Sequence, residues 1–550
     1  MPKPTTKYPA YILPAAKHLA AAIIIAAGIA EAALPQPAMA AEPSVASTAT
    51  LAPETKALHV LNRLGYGPRP GDVQRVAAMG VERYIDQQLH PAGIPEPDTL
   101  KREIASYETL RMQPVDLFHT YGPMRRGQFG KPTPEDLKAR REEARIIVEQ
   151  AVEARLHRAL ESPRQLQEVM VDFWFNHFNV FAGKGLDHLW VGAYEEEAIR
   201  PHALGRFRDL LEATARHPAM EFYLDNWENT APGSPGARGD KDGLNENYAR
   251  ELMELHTLGV DGGYTQADVI SLARILTGWG IGGGGRFGRN NPQDHNDGGF
   301  VFDPNRHDFS TKQFLGRTIG GRGMAEGEEA LDVLARSPVT AKHLSFQLAQ
   351  YFVADQPDPA LVDRLSKRWL ETDGNISEIL RTLFSSPEFW SPKVVGAKFK
   401  TPYQFVVSAV RASGIEVRNV RPMVGMLAQL GQPLYGCQTP DGYKNTREAW
   451  LSPDAMTRRL SFATAIGSGR VPFGRPEPEN MRVNVKKPEA MARMAPDEAN
   501  NDRPGDPVDP GPLMASYKAV LSPQTKAAYG VAAPQLRAAT LLGSPEFMQQ

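Results

Sequence analysis

The chain has 550 residues and a nearly balanced charge, because 62 lysines and arginines face 64 aspartates and glutamates for a formal net charge of -2. A balanced chain has no overall field that attracts nucleic acid or an anionic membrane, so a nucleic-acid-binding role is not expected. Its hydrophobic fraction of 41% and charged fraction of 23% are typical of a globular protein with a sizeable core. The single cysteine, Cys437, excludes an intramolecular disulfide and a cysteine-based zinc or iron–sulfur centre.

The first 40 residues have the layout of a secretory signal. Lysines precede an apolar run from Leu19 to Ile29, and the small-residue triplet Ala38-Met39-Ala40 follows it. A membrane span is the alternative, but a bilayer needs about 20 continuous apolar residues and this run is shorter. We predict a signal peptide over 1–40, a periplasmic or secreted protein, and no membrane span after cleavage. A polar linker over 41–56 follows.

Residues 57–465 have the pattern of one large, mainly α-helical domain. The sequence predicts capped helix starts at Thr133, at Ser162 with Gln165, at Thr265 with Asp268, at Ser337-Pro338 and at Ser386-Pro387. Alternating strand patterns are scarce, and only the glycine-rich stretch before Phe300-Val301-Phe302 favours a hairpin. We therefore expect a mainly α fold, one multi-helix domain with long loops and at most a small hairpin.

Two loops and a proline-rich segment interrupt the helical pattern. The loops, 226–244 and 280–299, are longer than most connections in compact domains, which favours a functional role, and they flank one helix-rich segment. Over 466–512 prolines alternate with charges, so this stretch cannot bury a core and is predicted to be a linker or surface strap. Residues 513–550 return to a helical pattern, and we expect these helices to pack on the body.

The side chains best suited to chemistry lie between residues 173 and 308. Aromatic residues surround His177, and such a histidine is more often a core residue than a base, although both interpretations stay open. A helix through Glu246, Arg250 and Glu254 has a charge ladder at four-residue spacing, with Glu251 beside it. The ladder is either a solvated set of ion pairs or, beneath the two loops, a desolvated glutamate that acts as acid or base.

Metal and nucleophile motifs are weak. No His-Glu-x-x-His or Gly-x-Ser-x-Gly pattern occurs, and Cys437 lies in a turn-like stretch, as an inert or partly exposed thiol. The oxygen-rich loops offer ligands for a hard cation, but turn chemistry explains these residues equally well: Asp240, Asp242, Asn245, Asp294, Asn296, Asp297 and Asp303. We assign no metal site, and the sequence does not identify a cofactor.

The order of several motifs is similar to one protein family. The motifs are Leu61-Asn62-Arg63-Leu64-Gly65-Tyr66-Gly67, Phe173 to Phe178, Arg200-Pro201-His202-Ala203-Leu204-Gly205, Asn245 to Gly259, Tyr264 to Asp268, Leu276-Thr277-Gly278-Trp279, His307-Asp308, Gly431 to Tyr435 and Ser544-Pro545-Glu546-Phe547. The chain resembles the bacterial domain-of-unknown-function 1800 family. The resemblance implies an exported protein, often encoded beside a domain-of-unknown-function 1501 type protein that looks like an alkaline phosphatase or sulfatase.

The resemblance supplies no reaction, but its motifs coincide with the residues singled out above. We take as candidate catalytic residues His177, Glu246, Arg250, Glu251, Glu254, His307 and Asp308, with Trp174 and Trp279 as apolar walls of a substrate site. The favoured hypothesis is an exported enzyme that acts on an envelope or extracellular polymer with Glu and His acid–base groups. The alternative is a non-catalytic envelope protein that binds a co-exported partner, with the same residues holding a helical core together.

Overall fold

Capping side chains and prolines fix the first residues of many helices. Thr133, Thr265 and Thr401 each form a capping box with the residue three positions further on. Ser337 accepts a hydrogen bond from the backbone N–H of Val339, at the start of a helix whose first residue is proline. The capped starts predicted at Thr133, Thr265 and Ser337 are thereby confirmed.

Two predicted helix starts are wrong. The helix after Ser162 begins at Gln165 without a side-chain cap, because the Ser162 hydroxyl accepts from the backbone N–H of Arg164 instead. The Gln165 amide turns back and donates to the carbonyl oxygens of Ser162 and Ala159. Ser386-Pro387 begins a turn and not a helix, with the Ser386 hydroxyl accepting from the N–H of Phe389.

The computed structural model describes residues 51–123, 133–237, 243–282, 298–474 and 506–550. The predicted signal peptide, most of the proline-rich segment and the middle of both long loops lie outside these ranges. The described residues belong to one compact unit. Among the helices in the described ranges, none is both long and apolar enough to cross a lipid bilayer.

Most of the described secondary structure is helical, which confirms the mainly α prediction. The α-helices are α1 Pro53–Arg63, α2 Asp72–Met79, α3 Val81–Leu89, α4 Asp98–Ser106, α5 Pro114–Tyr121, α6 Pro134–Glu161, α7 Gln165–His177, α8 Asp187–Ala193, α9 Phe207–Ala215, α10 Pro218–Tyr223, α11 Asn247–Glu254, α12 Gln266–Ile275, α13 Met324–Ala335, α14 Pro338–Phe352, α15 Pro359–Glu371, α16 Ile376–Phe384, α17 Pro402–Ser413, α18 Arg421–Gln429, α19 Arg447–Trp450, α20 Pro453–Gly467, α21 Pro510–Tyr517, α22 Pro523–Val531 and α23 Arg537–Leu542.

Two small antiparallel hairpins complete the described fold. In the first, β1 (Trp279–Ile281) pairs with β2 (Phe300–Phe302), so that Trp279 lies opposite Phe302. This is the hairpin that the sequence predicts. The second pairs β3 (Lys312–Phe314) with β4 (Arg317–Ile319) and was not predicted, because three-residue strands show too little alternation to be recognised.

Helix α17 lies at the centre of the core. Every residue from Pro402 to Ala412 is buried, and a helix that is covered on all sides must pack against neighbours all round. Burying a large apolar side chain of this kind stabilises the fold by about 1.5–3 kcal/mol. Helix α7 is nearly as buried, and the two helices together position the site described below.

Contacts between distant parts of the chain close the body. In α1, His59 bonds the main-chain oxygen of Phe389 at 3.0 Å and Arg63 donates to that of Val394 at 2.8 Å. The residues after α23 return to the segment before α17, where Phe399 and Gln549 form an antiparallel bridge. The first and last described helices therefore both pack against the region that leads into α17.

Candidate active site

An open cleft of about 250 Å³ lies where α7, α14 and the start of α17 meet the loop 431–446. We call this loop the cleft wall. The cleft is lined by aromatic, amide and ionisable side chains, among them Asp172, Phe173, Asn176, His177, Glu254, His343, Gln347, Tyr351, Tyr403, Tyr435, Asp441 and Tyr443. A concave surface with converging polar groups is the usual form of a substrate site.

Asp172 is one of the ionisable residues that line this cleft. Its side chain is 17% exposed, and Oδ1 accepts a hydrogen bond from Arg155 Nη2 at 2.5 Å. Burial raises the pKa of Asp172 above its ordinary value, nearby Glu195 raises it further, and Arg155 opposes the shift. Asp172 therefore holds a proton at higher pH than an ordinary aspartate.

A chain of buried ion pairs extends behind Asp172. Arg155 Nη1 donates to Glu195 Oε2 at 3.2 Å, and Arg200 Nη2 donates to Glu195 Oε1 at 3.1 Å. Arg200 also holds Glu168 through two hydrogen bonds of 2.8 and 3.0 Å. Because every carboxylate in this ion-pair chain has a guanidinium partner, the negative charges are compensated inside the protein.

An irregular helical segment supplies Glu195. Residues Tyr194–Ile199 form a π-helical turn that continues directly from α8. The same turn carries Glu196, which pairs with Arg158 and Arg200. Such turns are rare and often occur at functional sites, so the one beside the cleft supports a functional role for the ion-pair chain.

Two asparagines near the end of α7 hold the cleft wall in place. Asn176 Nδ2 donates to the Tyr443 carbonyl at 2.8 Å, and its Oδ1 accepts from the Tyr443 N–H at 2.7 Å. Asn179 Nδ2 donates to the carbonyls of Cys437 and Thr439 at 3.0 and 2.9 Å. Gly442 allows this approach, because a Cβ there would lie 2.2 Å from the Asn176 carbonyl oxygen.

Among the predicted catalytic residues, His177 and Glu254 line the cleft. His177 Nε2 lies 3.1 Å from the His256 carbonyl, so it carries the proton and donates, and burial lowers the pKa of His177 to about 3. The imidazole is therefore neutral at physiological pH. Glu254 Oε2 accepts from the Tyr264 hydroxyl at 3.3 Å.

The rest of the predicted charge ladder lies beside the cleft and not in it. Glu246 and Arg250 form a 3.1 Å ion pair with 34% and 40% of their side chains exposed, as in the solvated alternative. Glu251 is partly buried, and burial raises its pKa, with repulsion from Glu254 adding to the effect. None of these three residues lines the cleft.

His307 and Asp308 belong to a separate buried network. His307 bonds the Thr277 carbonyl at 2.7 Å and Glu326 at 2.9 Å, and Glu326 also pairs with Lys312 at 2.5 Å. Asp308 accepts from Arg274 at 2.7 Å. Although burial opposes it, hydrogen bonding by Ser310 and Arg274 lowers the pKa of Asp308 to about 2. The network lines no part of the cleft.

The two predicted aromatic walls are interior residues. Trp174 is fully buried, and its indole N–H donates to the Ala203 carbonyl at 3.0 Å. Trp279 is also fully buried, with its ring 5.2 Å from that of Phe300. Phe173, Tyr351, Tyr403 and Tyr443 provide aromatic surface in the cleft instead.

The described ends of the two long loops lie close to each other, because a Cβ on Gly280 would be 3.3 Å from the Cα of Trp227. Neither residue lines the cleft. Within the described ranges, no group of three or more His, Cys, Asp or Glu residues could hold a metal ion. Asn245 and Asp303 instead accept from the backbone N–H groups of Asn247 and Asn305, as turn residues do. The other predicted oxygen ligands, Asp240, Asp242, Asp294, Asn296 and Asp297, lie outside the described residues.

The sequence analysis missed Asp172, Arg155 and Glu195. Asp172 had a recognisable signal, because it is the one charged residue between Val169 and His177 in an otherwise apolar stretch. A lone carboxylate on a buried helix must find a partner or keep its proton. Arg155 and Glu195 had no such signal, since their pairing depends on how α6 and the π-helical turn pack.

The comparisons with known proteins agree with the motif order. No curated protein and no solved structure matches the chain significantly. One family model, described as protein of unknown function (DUF1800), matches residues 59–549, which include every element of the cleft. The chain therefore belongs to the DUF1800 family.

Proposed function

We propose that the protein is an enzyme that acts on an envelope or extracellular polymer by acid–base chemistry in the cleft, with Asp172 as the proton donor. The observation that carries the proposal is that Asp172 lines an open cleft with a partly exposed carboxyl group whose pKa is raised by burial. Perturbed carboxyl groups in clefts are characteristic of catalytic acids.

The lining of the cleft favours a polymer rich in hydroxyl groups. Phe173, Tyr351, Tyr403 and Tyr443 offer ring surface, and amides such as Gln347 stand beside them. Sugars present both apolar C–H faces and hydroxyl groups, so this mixture suits a glycan. A chain of sugars can enter the cleft because it is open to solvent.

The proposed reaction is hydrolysis of a glycosidic bond. Asp172 donates its proton to the leaving oxygen as the carbon–oxygen bond breaks, and water supplies the hydroxyl group that replaces it. Glu254 accepts the proton of that water, because among the described residues it is the carboxylate of the cleft that forms no ion pair with a lysine or arginine. Arg155 holds the Asp172 carboxyl group in one orientation throughout.

Release of reducing ends from polymers tests this function. The purified protein is incubated with peptidoglycan and with neutral and charged extracellular polysaccharides. We expect one class to be cut, and we expect Asp172→Asn to be at least about 100-fold slower, since an amide cannot donate the proton as a carboxylic acid does.

Glu246→Gln is the matched control, because it makes the same carboxyl-to-amide change in an exposed ion pair outside the cleft. It should keep full activity. The proposal fails if no polymer is cut, or if Asp172→Asn is as active as the unchanged protein.

A second candidate function is non-catalytic binding of a protein partner. The observation that favours it is Val260, an apolar side chain 67% exposed at the cleft surface. The partner that the family resemblance suggests is a co-encoded domain-of-unknown-function 1501 type protein. Co-purification of the two proteins tests this candidate. Loss of co-purification in Val260→Asp would favour it, whereas unchanged co-purification would show that Val260 does not contact the partner.

We also propose that the protein is exported to the periplasm or the medium. Support comes from the lysines, apolar run and Ala38-Met39-Ala40 triplet at the start of the sequence. Amino-terminal sequencing of the protein from cell fractions tests this, and a mature protein that begins at Ala41 outside the cytoplasm is the expected result. Uncleaved protein in the cytoplasm would contradict it.

A further inference from the structure

Tyr435 lies in the cleft wall with a backbone conformation that is rare for its residue type. Its φ is 54°, in the left-handed region that residues with a Cβ avoid. The ring is nevertheless 4% exposed and fixed on several sides. A strained residue persists only where surrounding contacts determine its position, and such residues cluster at functional sites.

Four contacts hold Tyr435, and the Arg155 guanidinium also lies 5.4 Å from the centre of its ring. Its carbonyl oxygen accepts from the backbone N–H of Ala182 at 3.0 Å, and its ring packs edge-on against Phe175 at 5.0 Å. Its hydroxyl oxygen lies 2.9 Å from Glu195 Oε2 and 3.3 Å from the Ala151 carbonyl. Since one hydroxyl has one proton, the shorter contact to the charged acceptor is the stronger hydrogen bond.

The same Glu195 oxygen is shared by Tyr435 and Arg155. Arg155 Nη1 donates to Glu195 Oε2 at 3.2 Å, while its Nη2 donates to Asp172. The guanidinium thus lies between two carboxyl groups that compete for it. A hydrogen bond from Tyr435 partly satisfies Glu195 and so weakens the attraction of Glu195 for Arg155.

We propose that Tyr435 is a positioning residue for Asp172, which acts through Glu195 and Arg155 to keep the guanidinium on the Asp172 carboxyl group. This inference rests on the proposed function of Asp172 as proton donor. Without the hydroxyl group, Glu195 draws Arg155 toward itself, Asp172 loses part of its cationic partner, and its proton is retained to still higher pH.

Removing the hydroxyl group alone tests the proposal. Tyr435→Phe keeps the ring that packs against Phe175 and deletes the donor to Glu195. The readout is the pH dependence of Asp172 labelling by a water-soluble carbodiimide with an amine, located by peptide mass spectrometry. We expect the labelling midpoint to move to higher pH by about half a unit or more, as expected for a weakened neighbouring charge.

For Glu195→Gln we expect the labelling midpoint of Asp172 to move in the opposite direction. The substitution removes the competing negative charge and leaves Arg155 to Asp172, so the midpoint should move to lower pH. This variant keeps an oxygen acceptor for Tyr435. If its midpoint does not move, the route from Tyr435 through Glu195 is overturned even where Tyr435→Phe fails to fold. Circular dichroism establishes folding for both variants.

Tyr443→Phe is the matched control. Tyr443 lines the same cleft from the same loop, but its hydroxyl group donates to the Pro433 carbonyl at 3.0 Å and not to the ion-pair chain. Its midpoint should stay at the value of the unchanged protein. An unmoved midpoint in folded Tyr435→Phe, or an equal shift in Tyr443→Phe, overturns the positioning role.

The two proposals fail in different ways. If Asp172 in the unchanged protein is labelled with the midpoint of an ordinary exposed aspartate, the proposed function loses its proton donor. If that midpoint is raised but Tyr435→Phe leaves it unmoved, only the positioning role fails.

Discussion

Single buried ionisable residues determine the chemistry available to this protein. Asp172 is raised in pKa by burial yet reaches the cleft, whereas His177 is lowered to about 3 and stays neutral with its Nε2 proton on a main-chain oxygen. Both residues lie on α7, five positions apart. The favoured sequence hypothesis assigned acid–base work to glutamate and histidine, whereas the proposed reaction keeps Glu254 and uses Asp172 in place of a histidine.

Lys400 is a second buried group whose charge has a measurable cost. Its ammonium group has no hydrogen-bond partner among the residues that the structure describes, and it lies 4.3 Å from the centre of the Phe547 ring. Burial lowers the pKa of Lys400 to about 7, with Arg459 adding repulsion. The unfolded chain therefore binds the proton more tightly than the folded one. The free energy of unfolding should rise with pH between about 7 and 10.5. Below pH 7 Lys400 should add no further pH dependence, because it is protonated in both the folded and the unfolded chain.

We expect Lys400→Met to remove this pH dependence. Methionine fills a similar volume without a charge, so the variant should be more stable at pH 7 by about 1–4 kcal/mol. Urea unfolding at pH 7 and pH 9.5 measures both effects. Lys367→Met, at a lysine that is 80% exposed, should change stability by no more than about 0.5 kcal/mol. Equal pH dependence in Lys400→Met and the unchanged protein would contradict the assignment.

At the scale of elements, α7 joins the core to the cleft. Asp172 and Asn176 are four residues apart and share one face, while Trp174 points into the interior. The sequence predicted a helix here, since helical periodicity is local, but it took Trp174 as a wall of the substrate site although that ring is buried. It also anticipated the Glu246–Arg250 pair, because four-residue spacing on a helix is enough to specify it.

The ion-pair chain could not be predicted from the sequence, because its members lie on different helical segments. Arg155 lies on α6 and Asp172 on α7, while Glu195 lies in the π-helical turn that follows α8. Their meeting depends on how three helical segments pack. Local spacing says nothing about such contacts, so these residues appeared only with the structure.

Two glycines of the cleft wall test how tightly α7 holds it. Gly442 and Gly431 both have positive φ, 66° and 83°, but only Gly442 abuts Asn176, and a Cβ at Gly431 meets nothing within 4 Å. We expect Gly431→Ala to cost about 1 kcal/mol through the backbone conformation alone. Gly442→Ala should cost more and displace the wall.

Thermal unfolding measures the stability of the two variants, and limited proteolysis reports on the wall. Cleavage within 431–446 should be faster in Gly442→Ala than in Gly431→Ala. Equal stability and equal cleavage in the two variants would show that the contact with Asn176 does not hold the cleft wall in place.

At the scale of the molecule, the described chain has two separate polar centres. One is the cleft with its ion-pair chain, and the other is the His307–Glu326–Lys312 network. The family motifs run through both, which is why the sequence analysis placed His307 and His177 in one candidate site. Motif order records which residues a family shares and does not tell which of them lie together.

The separation predicts independent effects of mutation. His307→Ala leaves the buried Glu326 carboxylate with one partner fewer, so we expect a loss of about 2–4 kcal/mol in the free energy of unfolding. Asp172 labelling should keep its midpoint, because distant sites act additively. Chemical denaturation and the carbodiimide assay measure the two quantities on the same preparation. A shifted Asp172 midpoint in folded His307→Ala would show that the centres are coupled.

The hydrogen bonds of α1 have a consequence for how the chain is made. Arg63 has its acceptor at Val394, and His59 has its acceptor at Phe389, so these buried groups meet partners that the ribosome adds more than 300 residues later. Until then both side chains lack these acceptors, even though α1 can already pack against α2 and α3, and non-local pairing of this kind slows folding. Nascent chains that end before residue 389 should therefore be more sensitive to protease than the full chain, and the native body should form in a late step.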